Sequence, residues 1–105
     1  MDFRRMRCFL VLAEELHFGR AAKRLHMTQP PLSVAMRGLE EELGVRLLER
    51  TTRSVRLTPA GELLQQRGRA LMREVELTTR LVKQLGEGKS GSLAIGFIGI
   101  ATLLG

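Results

Sequence analysis

Gln29, Ser33 and Arg37 stand four residues apart in the run TQPPLSVAMRGLEEEL. On a helix turning 100° per residue they would share a side with Pro30 and Val34, bringing an amide, a hydroxyl, a guanidinium and a branched apolar group together. That set suits the edges of base pairs. An amide can bond adenine, a guanidinium guanine or phosphate, a hydroxyl either base or phosphate, and an apolar branch can touch the thymine methyl. The run ends in Glu40, Glu41 and Glu42, carboxylates that phosphates would repel. Only the leading half is therefore suited to a groove of DNA, and the acidic rear is expected to stay in water.

A second cluster lies at Arg50 and Arg53. The stretch from Arg50 to Ser54 carries two arginines, no carboxylate and no glycine. Arg50 could hold a phosphate, and Arg53 could enter a narrow minor groove, where A·T tracts concentrate negative potential. The same residues also fit an ordinary basic hairpin tip.

These side chains need positioning elements. Thr28 is placed as N-cap of the helix carrying Gln29, Met27 and Leu32 can staple across it, and Pro30 and Pro31 fall where backbone N–H groups lack intrahelical partners. Leu32, Ala35, Met36, Leu39 and Leu43 form its packing side, and Gly44 is the expected stop. A shorter basic helix precedes it from Phe18, with Ala21, Ala22 and Leu25 as the small and apolar contacts of a close crossing. The hinge is at His26 and Met27, where many such turns carry glycine; histidine tolerates the positive φ required. Two helices so joined read as a helix-turn-helix. A first helix, Phe3 to Leu16, backs the pair with Phe3, Met6, Phe9, Leu10, Ala13 and Leu16 on one side. Its Arg4, Arg5 and Arg7 read as surface charge or as phosphate contacts beside the docked helix, and Cys8 as a small filler on the flank.

After Gly44 the period shortens to two. Val45 and Leu47, then Val55 and Leu57, with Arg46 and Arg56 on the alternate side, predict a short hairpin. Thr58 as N-cap and Pro59 at the first helical position open another helix, which would run to Leu85, ~42 Å at 1.5 Å per residue. Leu64, Leu71, Val75, Thr78, Val82 and Leu85 follow steps of three and four along it, with Gly68 in the same row, a seam for a second copy of the helix. Its beginning could instead fold back on the first three helices. Gly86 to Ser92 reads as a hinge, and Leu93 to Leu104 as the first strand of a further domain.

The runs FGRAAKRLHMTQPPLS and LEEELGVRLLERTTRSVRLTPAG, at these intervals, closely resemble the N-terminal domain of LysR-type transcriptional regulators, over roughly residues 3 to 88. The resemblance implies a mainly α fold: a winged helix-turn-helix of three helices plus a β-hairpin wing (1–58), a long linker and dimerisation helix with its hinge (59–88), and the start of a truncated effector domain (89–105). It implies sequence-specific binding of a double-stranded DNA operator by a homodimer, with Thr28, Gln29, Pro30, Ser33, Val34, Arg37, Arg50 and Arg53 as the DNA-binding residues. It also implies a tetrameric full-length parent and a small-molecule inducer whose site is absent from these residues.

Composition is compatible with this. The 105 residues carry 17 basic and 11 acidic side chains, a net charge of +6, which favours a polyanionic partner. A single cysteine rules out an internal disulfide, and two histidines supply no zinc set, so no metal and no cofactor are expected. No catalytic motif is present; the GKS at 88–90 lacks the earlier glycine of a phosphate loop, position 83 being lysine. Four phenylalanines, three of them assigned to helical cores, make no stacking platform for single-stranded RNA. The longest apolar run, Leu93 to Ala101, is short of the roughly 20 residues a spanning helix needs, and the charged start has no apolar core behind it. A soluble cytoplasmic protein is expected. A helical oligomerisation module with an incidental basic surface is the alternative of another class, and it leaves the arginine-bearing hairpin without a purpose.

Overall fold

A computed structural model describes residues 1–88. The expected strand at 93–104 and the end of the Gly/Ser hinge lie outside the described residues. The elements, in order, are α1 (Phe3–Glu15), α2 (Phe18–Arg24), α3 (Gln29–Leu43), β1 (Leu48–Arg50), β2 (Val55–Leu57) and α4 (Pro59–Gly86). The expected mainly α architecture, three helices, a two-stranded wing and a long last helix, is present. The chain divides into two compact units, Met1–Met72 and Arg73–Gly105.

The first unit closes around Phe9, Leu12, Leu32, Met36, Leu39, Leu47 and Leu48, all essentially inaccessible, with Ala21 and Ala22 at the close approach of α2. Each such large side chain contributes about 1.5–3 kcal/mol by leaving water. Helix α1 departs from the expected face at both ends. Asp2 is its N-cap, Oδ1 accepting the Arg5 N–H at 2.7 Å, so Phe3 sits on the first, solvated turn and is 63% exposed. Leu16 is the C-cap at φ 51°, outside the helical spiral, and is also exposed. Leu12 and Cys8 are buried instead. The assignment of Phe3 to a helical core is thus corrected, whereas Cys8 as filler agrees with its burial.

Turn chemistry fixes the joints. His17 caps α2, its Nδ1 accepting the Arg20 N–H at 3.0 Å. At the other end the Met27 N–H bonds the Ala22 carbonyl (2.9 Å) and the His26 N–H that of Lys23 (3.1 Å), with His26 at φ 55°. This is a Schellman turn with histidine in the glycine slot, as expected. Thr58 caps α4: its hydroxyl oxygen accepts the Gly61 N–H at 3.0 Å while donating to the Arg46 carbonyl at 2.6 Å. Two glycines of α4 are packing residues. A Cβ on Gly61 would stand 2.2 Å from the Leu47 carbonyl oxygen, and one on Gly68 would stand 2.7 Å from Met6 Sδ. Gly68 therefore faces its own α1 and leaves the seam at that position, so the start of α4 folds back on the first helices.

In the second unit α4 continues from Arg73 to Gly86, and a turn follows in which Gly88, φ 77°, brings its N–H to the Leu85 carbonyl. Val75, Leu77 and Leu81 are half-buried; Val82 and Leu85 are exposed. Among the described residues no helix is long and apolar enough to cross a membrane, and no group of three or more His, Cys, Asp or Glu could hold a metal ion.

Candidate nucleic-acid interface

Helix α3 begins in an unusual way. Thr28 occupies the N-cap position in extended conformation (φ −90°, ψ 166°), but its side chain makes no capping bond. An N-cap oxygen accepts from the second or third helical N–H. Here those residues are Pro30 and Pro31, which have none. The expected cap is right in position and wrong in bonding. The two prolines also remove two of the four backbone donors a helix start would offer an anion, leaving those of Thr28 and Gln29.

Thr28, Gln29, Pro30, Val34 and Arg37 are exposed on one face and Ser33 is half-buried beside them, while Leu32, Met36 and Leu39 are sealed on the other. The expected division of the helix is realised except at Leu43, expected on the packing side, which is exposed because it lies in the last turn beyond the sealed core. Val34, 58% exposed, is the apolar outward group. Val34, Ala35 and Pro31 wall a shallow hollow with Asp2, Arg4 and Arg5 at the start of the first helix. The Gln29 amide rests over α2: a Cβ on Gly19 would stand 3.2 Å from Gln29 Nε2.

The rear of the helix differs from expectation. Glu40 is half-buried, and its Oε2 accepts the N–H groups of Leu47 (2.7 Å) and Leu48 (3.3 Å). Glu42 pairs with the Met1 ammonium and, at 3.7 Å, with Arg5. Only Glu41 remains as a carboxylate simply facing solvent. The physical reason is that the chain entering β1 is buried and needs an acceptor, and Glu40 lies one turn before the helix ends, within reach of it. A glutamate a few residues before a helix-ending glycine is too common a pattern to have revealed this.

The wing pairs Leu48 with Leu57, Glu49 with Arg56 and Arg50 with Val55. Its tip manages without glycine because Thr51 Oγ1 accepts the N–H groups of Arg53 (3.2 Å) and Ser54 (3.0 Å), a side chain standing in for a backbone turn. Arg53 is exposed at this tip. Arg50 lies on the same strand face as buried Leu48, and its guanidinium carbon is 4.4 Å from the centre of the Phe18 ring. A surface cleft between α3 and the wing is lined by Arg37, Arg46, Arg50, Glu40 and Glu41.

Two sets of arginines differ in their partners. Arg20 and Arg24 are bound to Glu15, with Glu14 also on Arg24. Arg24, with Arg20 beside it, holds the Glu15 carboxyl below its ordinary range, and Glu15 in turn raises Arg24. Arg5 lies over Gly38 as well as near Glu42. These three tie helices together. Arg37, Arg46, Arg50 and Arg53 make no ion pair among the described residues, and their guanidinium N–H donors are unspent there. Burial pushes the Cys8 thiol up despite Arg4 and Arg7 nearby, which makes it a poor nucleophile.

Of the seam residues, Leu64 is half-buried against its own core, Leu71 is exposed, Val75 is half-buried, and Thr78, Val82 and Leu85 are exposed. Within the first unit, Leu43, Val45, Leu63 and Leu71 stand exposed around one apolar groove.

Residues 3–62 match the family described as "Bacterial regulatory helix-turn-helix protein, lysR family". The chain belongs to the LysR family. Among its relatives, the HTH-type transcriptional regulator AlsR of Bacillus subtilis is 48% identical over 102 residues, covering 97% of this chain and 34% of that protein. The DNA-binding transcriptional dual regulator OxyR of Escherichia coli is 48% identical over 98 residues, 93% of this chain and 32% of that one. This LysR-family chain thus spans about a third of the length of the curated relatives it matches. Its fold superposes on the BenM DBD/catB site 1 DNA complex with a TM-score of 0.80 at 40% identity, over 84% of this chain and 95% of that one. The CbnR DBD–DNA complex gives 0.78 at 36%, over 82% and 99%.

Proposed function

We propose that the chain binds double-stranded DNA sequence-specifically as a homodimer on a dyad-symmetric operator, with α3 in the major groove and the wing in the minor groove. The observation that carries this is the exposed, uncharged leading face of α3 flanked by arginines whose guanidinium donors are unspent among the described residues. Gln29 reads an adenine edge, Ser33 a base or phosphate, Val34 a thymine methyl, and Arg37 a guanine or phosphate. Pro30 shapes the close approach, Thr28 and Arg50 hold the backbone, and Arg53 enters the minor groove. Similarity to chains whose solved structures are DNA complexes supports the reading.

Pairing runs along α4 (the linker of 59–88) through Leu71, Val75, Thr78, Val82 and Leu85, with Leu64 shared with the chain's own core. Two binding units on one paired helix call for two half-sites in dyad symmetry. In a longer parent, residues 89–105 open an effector domain that holds the inducer site and supports a tetramer, and the protein works in the cytoplasm.

The test is selection of binding sites from random duplex, followed by titration at fixed salt. A dyad-symmetric consensus bound well above random duplex is expected, with Gln29→Ala or Val34 variants changing preference between sites and Arg50→Ala weakening all sites alike. Equal affinity for selected and random duplexes would remove sequence reading. A monomer at the concentrations that bind DNA, measured by sedimentation, would remove the dimer.

A further inference from the structure

Phe18 has no role in the contacts proposed above, yet it touches one of the residues that make them. It is the first residue of α2, half-buried, with its ring packed against the core. Arg50 comes from a distant part of the chain, the last residue of β1 before the wing tip. Strand alternation turns Arg50 to the same side as buried Leu48, and its guanidinium lies over the Phe18 ring at 4.4 Å.

We infer that Phe18 is a positioning residue for the wing: its ring is the platform that holds the Arg50 guanidinium for a backbone phosphate. This rests on the DNA-binding reading. A guanidinium is planar, with its N–H donors around its rim and weakly hydrated faces. Stacking on an aromatic ring occupies a face and leaves the rim free. A carboxylate partner would do the opposite and consume the donors that a phosphate needs, as Glu15 does to Arg20 and Arg24. Among the described residues no carboxylate pairs with Arg50. A long side chain held by its face before binding also loses less rotamer freedom when the anion arrives. The contact further links the hairpin to the helix-turn-helix.

The experiment is a double-mutant cycle on duplex binding, with Phe18→Leu, Phe18→Tyr, Arg50→Ala and the pair Phe18→Leu/Arg50→Ala, each titrated across a salt series. Loss of an exposed cation–π contact predicts about a two- to fivefold weaker Kd for Phe18→Leu. Phe18→Tyr, which keeps the ring, should remain within about twofold. The slope of log affinity against log salt should fall in Phe18→Leu toward its value in Arg50→Ala, a change of about 0.9 for one lost phosphate contact. In the Arg50→Ala background, Phe18→Leu should have no further effect. Should Phe18→Leu lose helix content, Phe18→Met, whose longer and more flexible chain fills an irregular gap better, takes its place. Additive losses, or weaker binding with an unchanged salt slope, would reduce Phe18 to a packing residue and overturn the inference while leaving DNA binding intact. If the parent chain itself did not prefer its selected duplex, the failure would belong to the DNA-binding reading.

Discussion

Replacing Glu40 should separate stability from charge in a way few surface acids allow. Its carboxylate oxygen accepts two backbone N–H groups, at 2.7 Å from Leu47 and 3.3 Å from Leu48, both residues being buried. A hydrogen bond to a charged acceptor contributes about 1.5–3 kcal/mol, and a buried donor left unpaired costs a similar amount. The longer bond counts for a fraction of the shorter, so Glu40→Ala is expected to lower stability by about 2–4 kcal/mol. For a domain of this size that is a fall in Tm on the order of 10–25 °C. Glu40→Gln keeps an oxygen in place but loses its charge, so it should lie between the parent and alanine. Removing an anion beside the proposed groove should at the same time raise the low-salt DNA affinity of whatever remains folded. The assay is urea unfolding of the three proteins followed by circular dichroism, with duplex titration below the unfolding range. Glu40→Ala within about 0.5 kcal/mol of the parent, the usual range for a bland surface site, would refute the assignment of this carboxylate to the wing.

Gly61→Ala should be destabilising by at least about 1 kcal/mol in the same assay, although alanine is the better helix former, because its nearest contact is the Leu47 backbone carbonyl, which cannot swing aside as the neighbouring Leu57 side chain can. His26→Gly should stabilise by about 0.5–1 kcal/mol by relieving the left-handed backbone at φ 55°; a Tm equal to or below that of the parent would mean that the imidazole compensates for it. The Glu15 carboxyl is depressed in the folded state, so its contribution is complete above the ordinary value of 4.5 and is lost as pH falls through the folded value. The Tm difference between the parent and Glu15→Gln should accordingly shrink below about pH 4.5 and hold steady above it.

How far the residues alone reveal this molecule depends on the range of the interaction. The outward and inward sides of α3, a hairpin with a basic tip, the cap at Thr58 and the histidine at the left-handed turn follow from spacing and local chemistry. The first arm of the hairpin does not: its strand is Leu48–Arg50 and not Val45 to Leu47, because Glu40 takes the Leu47 and Leu48 amides and both leucines are buried in succession while Val45 is exposed. What did not follow involves partners far apart in the chain. Glu40 looks like Glu41 and Glu42 until the hairpin folds beneath it. Gly61 and Gly68 look like weak points in a helix until Leu47 and Met6 are brought against them. Phe3 fits the apolar period of α1, but the period does not say where the neighbouring elements end. Arg50 on Phe18 joins residues 32 positions apart, and no pattern within either segment announces the pair.

Two threonines open the two longest helices on opposite terms. Thr58 has its oxygen committed on both sides, to the Arg46 carbonyl and the Gly61 amide, so changing it disturbs the joint between hairpin and helix. Thr28 stands before two imino acids that ask nothing of it. Exchange of its hydroxyl for another small group therefore carries almost no folding penalty, and a lineage can retune this corner of the proposed contact surface for a new target without first securing the scaffold elsewhere.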